Sequence, residues 1–262
     1  MRPFTVVLAA ALTVVLTFLT LPIVAIFTDT GPGELLASLG EEGALDALWL
    51  SLQTSAIAVA LIVVIGTPAA YLLATRRFRG RSAVLTLIEL PLVLPPAVAG
   101  IALLAAVGPS GILGGAIDDA GVQLVFAKAG VVVAITFVSA PFYVRQAEAA
   151  FGALDRSWLE ASRTLGACEA ATFVRVAIPA AIPGLVAGLA LAWGRALGEF
   201  GATLMFAGSL RGVTQTAPLA IYERFATEFT SALALSAVLV AVSGAILLTV
   251  KLATANSRVA AA

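Results

Sequence analysis

Apolar runs of twenty or more residues recur along this chain, from Phe4 to Phe27, from Leu48 to Leu73 and again from Ser231 to Leu252. A helix needs about 20 such residues to cross the hydrocarbon core of a bilayer, and a run that long has no comfortable place on a water-soluble surface. Helices are the economical way to span, because every backbone donor and acceptor is then satisfied within the segment. The sequence therefore predicts an all-α integral membrane protein. Composition agrees: 61% of residues are hydrophobic and 11% charged, against roughly 25% charged in ordinary soluble domains.

The same numbers exclude several function classes. Formal net charge is +0, so no bulk field points to nucleic acid. Histidine is absent and Cys168 is the single cysteine, which rules out disulfides within the chain and a Cys/His zinc site. With no histidine to activate it, Cys168 reads as a small filler. No catalytic constellation converges, so an intramembrane enzyme is disfavoured.

Taken in order, Phe4 to Phe27 reads as a retained span, with a cleavable signal segment as the alternative. The loop from Thr28 to Leu45 carries Asp29, Glu34, Glu41 and Glu42 and no basic residue, whereas the second span is followed by Arg76, Arg77, Arg79 and Arg81. By the positive-inside rule the arginine edge is cytoplasmic. The third span, about Val84 to Val107, holds Glu89, Pro91, Pro95 and Pro96. Proline removes a backbone donor, so this helix should be kinked or broken, as either a pathway wall or a packed kink. The fourth has its core at Ala129 to Val144, with Lys128 at its outer edge and Pro141 distorting its inner end. The fifth, about Pro179 to Phe206, carries Gly184 and Gly188, Gly194 and Gly198, each pair one turn apart, which suits close helix approach. Arg195 and Glu199 are also one turn apart and can pair; intramembrane charges mark functional candidates, the alternative being an ion pair at the outer interface that fixes packing. The polar stretch Ala207 to Thr230 reads as an outer loop with a short helix near Pro218 to Phe225, a candidate docking surface for an extracytoplasmic partner. Six spans with both termini cytoplasmic put Arg2, Arg76, Arg77, Arg79, Arg81, Arg145, Arg156, Arg163, Arg175, Lys251 and Arg258 inside. No internal repeat appears, and residues 1–262 read as a single transmembrane domain.

One charged insert, Leu154 to Pro183, interrupts this pattern. Leu154, Trp158, Ala161 and Leu165 recur at helical spacing and form one apolar stripe on a helix too short to span. Ser157 with Glu160 reads as a capping box and Gly166 as the helix stop. A second polar run, Cys168 to Arg175, precedes Pro179 and Pro183, which mark entry to the fifth span. The expectation is a helix, a glycine turn and a helix held at the cytoplasmic surface, with one face free to pack into a partner's groove. Glu160 as a mere capping acid is the plainer alternative.

Glu160 and Ala161, Gly166 six residues after the glutamate, then Val176, Ile178 and Pro179 resemble the EAA signature of importer-type ATP-binding cassette (ABC) permeases. Ser162 stands where the second alanine is usual. PLVLPPAVAG at Pro91 to Gly100, TFVSAPFYVR at Thr136 to Arg145, RALGEFGATLMFAG at Arg195 to Gly208 and TQTAPLAIY at Thr214 to Tyr222 extend the match. Together they resemble the permease subunits of molybdate ABC importers; sulfate and tungstate permeases share part of the pattern. The resemblance implies a six-helix type I importer fold whose residues 154–178 form a cytoplasmic coupling segment, with Glu160, Ala161, Ser162, Leu165, Gly166 and Pro179 engaging the ATPase. The proline break and the charged fifth span supply the candidates for its translocation path: Pro91, Pro95, Pro96, Arg195, Gly198, Glu199 and Gly201. Its implied partners are an ABC ATPase dimer, an extracytoplasmic oxyanion-binding protein and a second permease copy. No GxxxxGK[ST] occurs in the chain, so ATP would bind the partner and no cofactor is expected here. An ion-coupled secondary carrier using Glu89, Arg195 and Glu199 as a relay is the competing reading, but it gives the insert no partner to engage.

Overall fold

The computed structural model describes residues 3–259, which form helices and turns with no strand among them. Arg2, counted above at the inner edge, lies outside the described residues. The order is α1 (Pro3–Thr28), α2 (Pro32–Gly40), α3 (Ala44–Thr75), α4 (Arg81–Val93), α5 (Pro96–Val107), α6 (Gly114–Asp119) and α7 (Lys128–Gly152). There follow α8 (Arg156–Thr164), α9 (Glu169–Thr172), a π-helical turn (Phe173–Ala177), α10 (Ile178–Leu197), α11 (Gly201–Ala207), α12 (Ala217–Phe225) and α13 (Phe229–Val259). Five continuous stretches among them are long and apolar enough to cross a membrane, and α4 with α5 makes a sixth if that pair, bent by 118°, is counted as one span.

Three expectations need correction and one is borne out. The loop between the first two spans is not irregular, because Pro32 starts α2 and the Glu34 carboxylate accepts the Gly31 N–H at 3.0 Å to close its first turn. The third span is broken, one of the two outcomes expected of its prolines: Pro95 and Pro96 end one helix and start another, and the chain turns back through more than a right angle. Pro141 does not disturb the end of α7, which continues to Gly152. The fifth span neither begins at Pro179 nor reaches Phe206. Its helical stack begins at Glu169 and passes Pro179 by widening into the π turn, where the Ile178 N–H bonds back to Phe173. It ends at Leu197, where Gly198 to Phe200 break the helix before α11.

The core is the contact of α3 with α7 and of α7 with α10, filled by Ile62, Leu73, Tyr143, Val144, Phe151 and Leu185. Two polar side chains caught inside it join its helices to their neighbours. Thr67 Oγ1 donates to the Val63 carbonyl at 2.6 Å and lies 2.6 Å from the Tyr143 hydroxyl, tying α3 to α7. Ser51 Oγ accepts the Ala217 N–H at 2.7 Å and pins the start of α12 onto α3. Helix α1 contributes nothing to this core: it touches α13 and is otherwise exposed along its length, as a lipid-facing helix would be.

The two glycine pairs of α10 have different surroundings. A Cβ on Gly184 would stand 2.3 Å from the Ala150 Cβ, so α7 and α10 approach to backbone distance there. Gly194 has nothing within 4 Å of a Cβ position. Gly184→Ala should therefore overpack the α7–α10 contact and cost about 1–3 kcal/mol. Gly194→Ala should be neutral or stabilising by up to ~1 kcal/mol, because helix propensity improves without a clash. Thermal unfolding in detergent reads both, and a Gly184→Ala midpoint at or above that of Gly194→Ala would contradict the packing.

Candidate functional site

Two separate regions carry the residues singled out by the sequence. The first is the hairpin of α8 and α9 at the end of α7. Asp155, with extended backbone, caps α8: its Oδ1 accepts the Ser157 N–H at 2.9 Å. This replaces the expected capping box, since the helix starts one residue before Ser157 and a carboxylate is the stronger acceptor for its first free N–H groups. Glu160 is thereby released from a capping role. It is exposed, and its carboxylate makes no hydrogen bond or ion pair to any described residue. The helix stops as expected: Gly166 has φ +88°, its N–H bonds to Arg163 and the Ala167 N–H bonds to Ser162 at 3.1 Å, the paired bonds of a left-handed C-terminal turn.

The hairpin is braced from within. Ser162 Oγ lies 3.0 Å from Oγ1 of the buried Thr172, joining α8 to α9, so the serine that departs from the usual alanine has a structural partner. Arg76 pairs with Glu169, tying the end of α3 to α9, and Leu159 anchors α8 in the core. The stripe read from the sequence turns outward: Leu154 is half-buried, but Trp158 is 54% and Leu165 88% exposed, with Ala161 exposed between them. Pro179 sits in the first turn of α10, beyond the π turn and away from this face.

The second region lies at the other end of α10. A Cβ on Gly201 would come 2.7 Å from the Pro96 Cβ, and one on Gly100 would come 2.7 Å from the Ala202 carbonyl oxygen, so α5 and α11 pack backbone to backbone. Pro96 and Gly201 are therefore brought together. Pro95 stands beside them as the N-terminal flank of α5, while Pro91 stays on the other limb, inside α4. Arg195 Nη2 lies 2.5 Å from Glu199 Oε2, a charge contact without a well-aligned hydrogen bond. The other carboxylate oxygen, Oε1, accepts the Ala202 N–H at 2.6 Å. Glu199 is 1% exposed and thus links the last turn of α10 to the first turn of α11. Gly194, Arg195 and Gly198 open onto a groove of about 670 Å³ whose opposite side is α13 at Leu239, Ser243 and Leu247. From Pro179 to Arg195 the helix rises about 24 Å, so the two regions lie at opposite ends of one span.

A third set of charges escaped the sequence reading. Glu148 accepts from Arg81 at 2.6 Å and from Arg145 at 2.9 Å, and Arg145 Nε lies 2.7 Å from Glu89. Glu89 is thus paired rather than free for a relay. The helical spacing of Arg145 and Glu148 was the available signal; the reach of Arg81 and Glu89 to them was not. Among the described residues no group of His, Cys, Asp and Glu could hold a metal.

The fold as a whole is shared with the membrane subunits of solved ABC transporters. The solved structure of a bacterial ABC transporter involved in the import of the acidic polysaccharide alginate matches it with a TM-score of 0.78 at 17% identity, over 97% of this chain and 96% of that one. Residues 66–259 match the family described as binding-protein-dependent transport system inner membrane component, and the chain belongs to that family. Among curated relatives, the molybdenum transport system permease protein ModB of Mycobacterium tuberculosis is 42% identical over 231 residues, 88% of each chain. The sulfate transport system permease protein CysW of Synechocystis sp. is 32% identical over 247 residues, covering 93% of this chain and 90% of the relative.

Breaking a buried ion pair by removing one partner leaves an uncompensated charge. Glu199→Ala should cost about 3 kcal/mol, whereas Arg195→Ala with Glu199→Ala should recover part of that loss, measured as a double-mutant cycle on thermal unfolding; strictly additive costs would show the pair to be uncoupled. At α8, the Ser157 N–H holds the Asp155 carboxyl below the usual carboxylate range. A depressed folded pKa contributes stability above the unfolded value of about 3.9, lost as pH falls through the folded value. Hydrogen exchange at the Ser157 amide, corrected for intrinsic rate, should stay constant from neutral pH to about pH 5 and rise only below about pH 4.

Proposed function

We propose that this chain is the membrane permease of an ATP-driven importer whose cargo is molybdate. The observation that carries the reading is the 42% identity to a molybdenum permease across 88% of both chains. In this reading the exposed face of Trp158, Ala161 and Leu165, with the unpartnered Glu160 beside it, enters a cleft on a separate ATPase, and Ser162 and Gly166 hold the segment in shape. The arginine-rich end of the bundle is then cytoplasmic, as are both termini, following the placement of Arg76, Arg77, Arg79 and Arg81. A loaded binding protein docks at the opposite end, on the surface that includes α12. A second copy of the chain completes the pathway by facing the groove beside Arg195.

The wall chemistry suits passage rather than capture. Arg195 offers positive potential to a tetrahedral dianion, but Glu199 offsets most of that charge at 2.5 Å. A pathway must release what it admits, so high affinity belongs to the binding protein. Closure of the ATPase dimer would move the braced α8–α9 hairpin as one body. The breaks at Pro95–Pro96 and Gly198–Phe200 then exchange one packing for another, a shear of discrete elements rather than a continuous bend.

Sulfate is the second reading, favoured by the 32% identity to a sulfate permease and by the shared shape and charge of the two ions. The complex reconstituted in liposomes with its binding protein should hydrolyse ATP faster when molybdate or tungstate is supplied and not when sulfate is. Stimulation by sulfate alone would move the assignment to sulfate. If no ATPase co-purifies with the chain and none is stimulated, the ATP-driven reading itself falls. Glu160→Lys should lower uptake about tenfold or more by placing a like charge where a salt-bridging acid is expected, with membrane insertion unchanged; normal uptake would remove Glu160 from the docking face.

A further inference from the structure

Glu148 occupies a position that neither the docking segment nor the pathway wall accounts for. It lies one turn before the end of α7, which runs through a three-residue turn into α8. Its side chain is 13% exposed, less than the other three charges of its cluster. Arg81, the first residue of α4, donates one N–H to Glu148 and its Nε–H to the Leu73 carbonyl in the last turn of α3, at 2.7 Å. Arg145 holds the other Glu148 oxygen and reaches Glu89, two turns along α4. One carboxylate thus gathers the end of α3, the start of α4 and the end of α7.

This matters because apolar packing does little to fix α4. The helix has no buried residue, and only Leu85 and Ile88 rest against the core, while Leu87, Leu90 and Val93 are exposed. Its placement on α7 depends on the alternating row Arg81, Glu148, Arg145 and Glu89. From α4 the contacts continue without a gap: the bend at Pro95, Pro96 against Gly201, and Glu199 from the α11 turn to Arg195.

We propose that Glu148 is a positioning residue for transport, which transmits displacement of the α8–α9 hairpin to the broken span α4–α5 through Arg81 and Arg145. Glu148 is shared by Arg81 on α4 and Arg145 on its own helix, so it keeps Arg145 as a partner when α4 shifts on α7 and Arg81 draws away. Release and capture of Arg81 by a carboxylate that stays paired throughout gives the shear of the breaks a physical origin. The inference rests on the reading of α8–α9 as the ATPase-docking segment.

The experiment compares ions imported per ATP hydrolysed by the full complex in liposomes. Glu148→Gln should keep hydrolysis within about twofold while the ratio falls about fivefold or more, and Glu148→Asp should restore part of it. Arg145→Gln combined with Glu148→Gln should be no worse than the poorer single variant, as expected of residues acting in one row. An unchanged ratio in Glu148→Gln, or strictly additive losses, overturns the proposal. So does failure of both Glu148 variants to assemble, which would make the carboxylate a folding element. Glu160→Lys in the same assay separates the two readings: a lowered ratio there beside an unchanged one in Glu148→Gln keeps the docking segment and overturns the relay, whereas a normal ratio in Glu160→Lys removes the docking assignment and the relay with it.

Discussion

Hydrocarbon supplies no water to a broken backbone, and the architecture follows from how each interruption is answered. At the α4–α5 break, prolines occupy positions where a donor would have no helical acceptor, and on either side of it the Leu94 N–H bonds back to Leu90 and the Ala99 N–H to Pro95. At the π turn the wider ring of hydrogen bonds passes over Pro179 without leaving the helix. At Gly198–Phe200 a side chain does the work of the missing helix turn, since Glu199 takes the Ala202 N–H. That last solution brings a carboxylate into the apolar region, and the carboxylate in turn needs Arg195. The buried charge pair is therefore a consequence of breaking the helix, as well as a candidate element of the path.

What the sequence revealed was whatever depends on neighbours in the chain. The apolar runs, the proline break, the outward stripe at Trp158 and Leu165 and the stop at Gly166 all follow from spacing within a turn or two. The contacts that organise the site were hidden because they join distant positions. Pro96 meets Gly201, and Arg81 meets Glu148, with no local pattern to announce either pairing. Boundaries failed for a related reason: a proline predicts where a helix is disturbed, but tertiary packing decides whether it ends, as at Pro95, or continues, as at Pro141 and Pro179. Asp155 displaced Ser157 as the cap because the turn after α7 fixes the start of α8, and that turn is set by Leu159 and Phe151 in the core.

Two groups of exposed apolar side chains in this fold differ in setting. Those along α1, α3 and α13 lie on long helices whose lateral surroundings are hydrocarbon, and they need no protein partner. Trp158 and Leu165 stand apart, on a short polar helix beyond the spans, where water would otherwise meet them. An apolar patch in that setting suits the docking role proposed for it. Its bracing by Ser162, Glu169 and Leu159 means that a partner meets a formed shape and orders little on binding, which lowers the entropy cost of association.

The π turn at Phe173–Ala177 has a consequence for the phase of the helix around its axis. Five residues there span what an α-helix covers with fewer, so the side chains of Glu169–Thr172 and those of Ile178–Leu197 are out of angular register with each other. The hairpin end of the span and its membrane portion can therefore each present the face they require, one toward Arg76 and Ser162, the other toward α7. A single inserted residue, lodged in the turn, sets the azimuth between them.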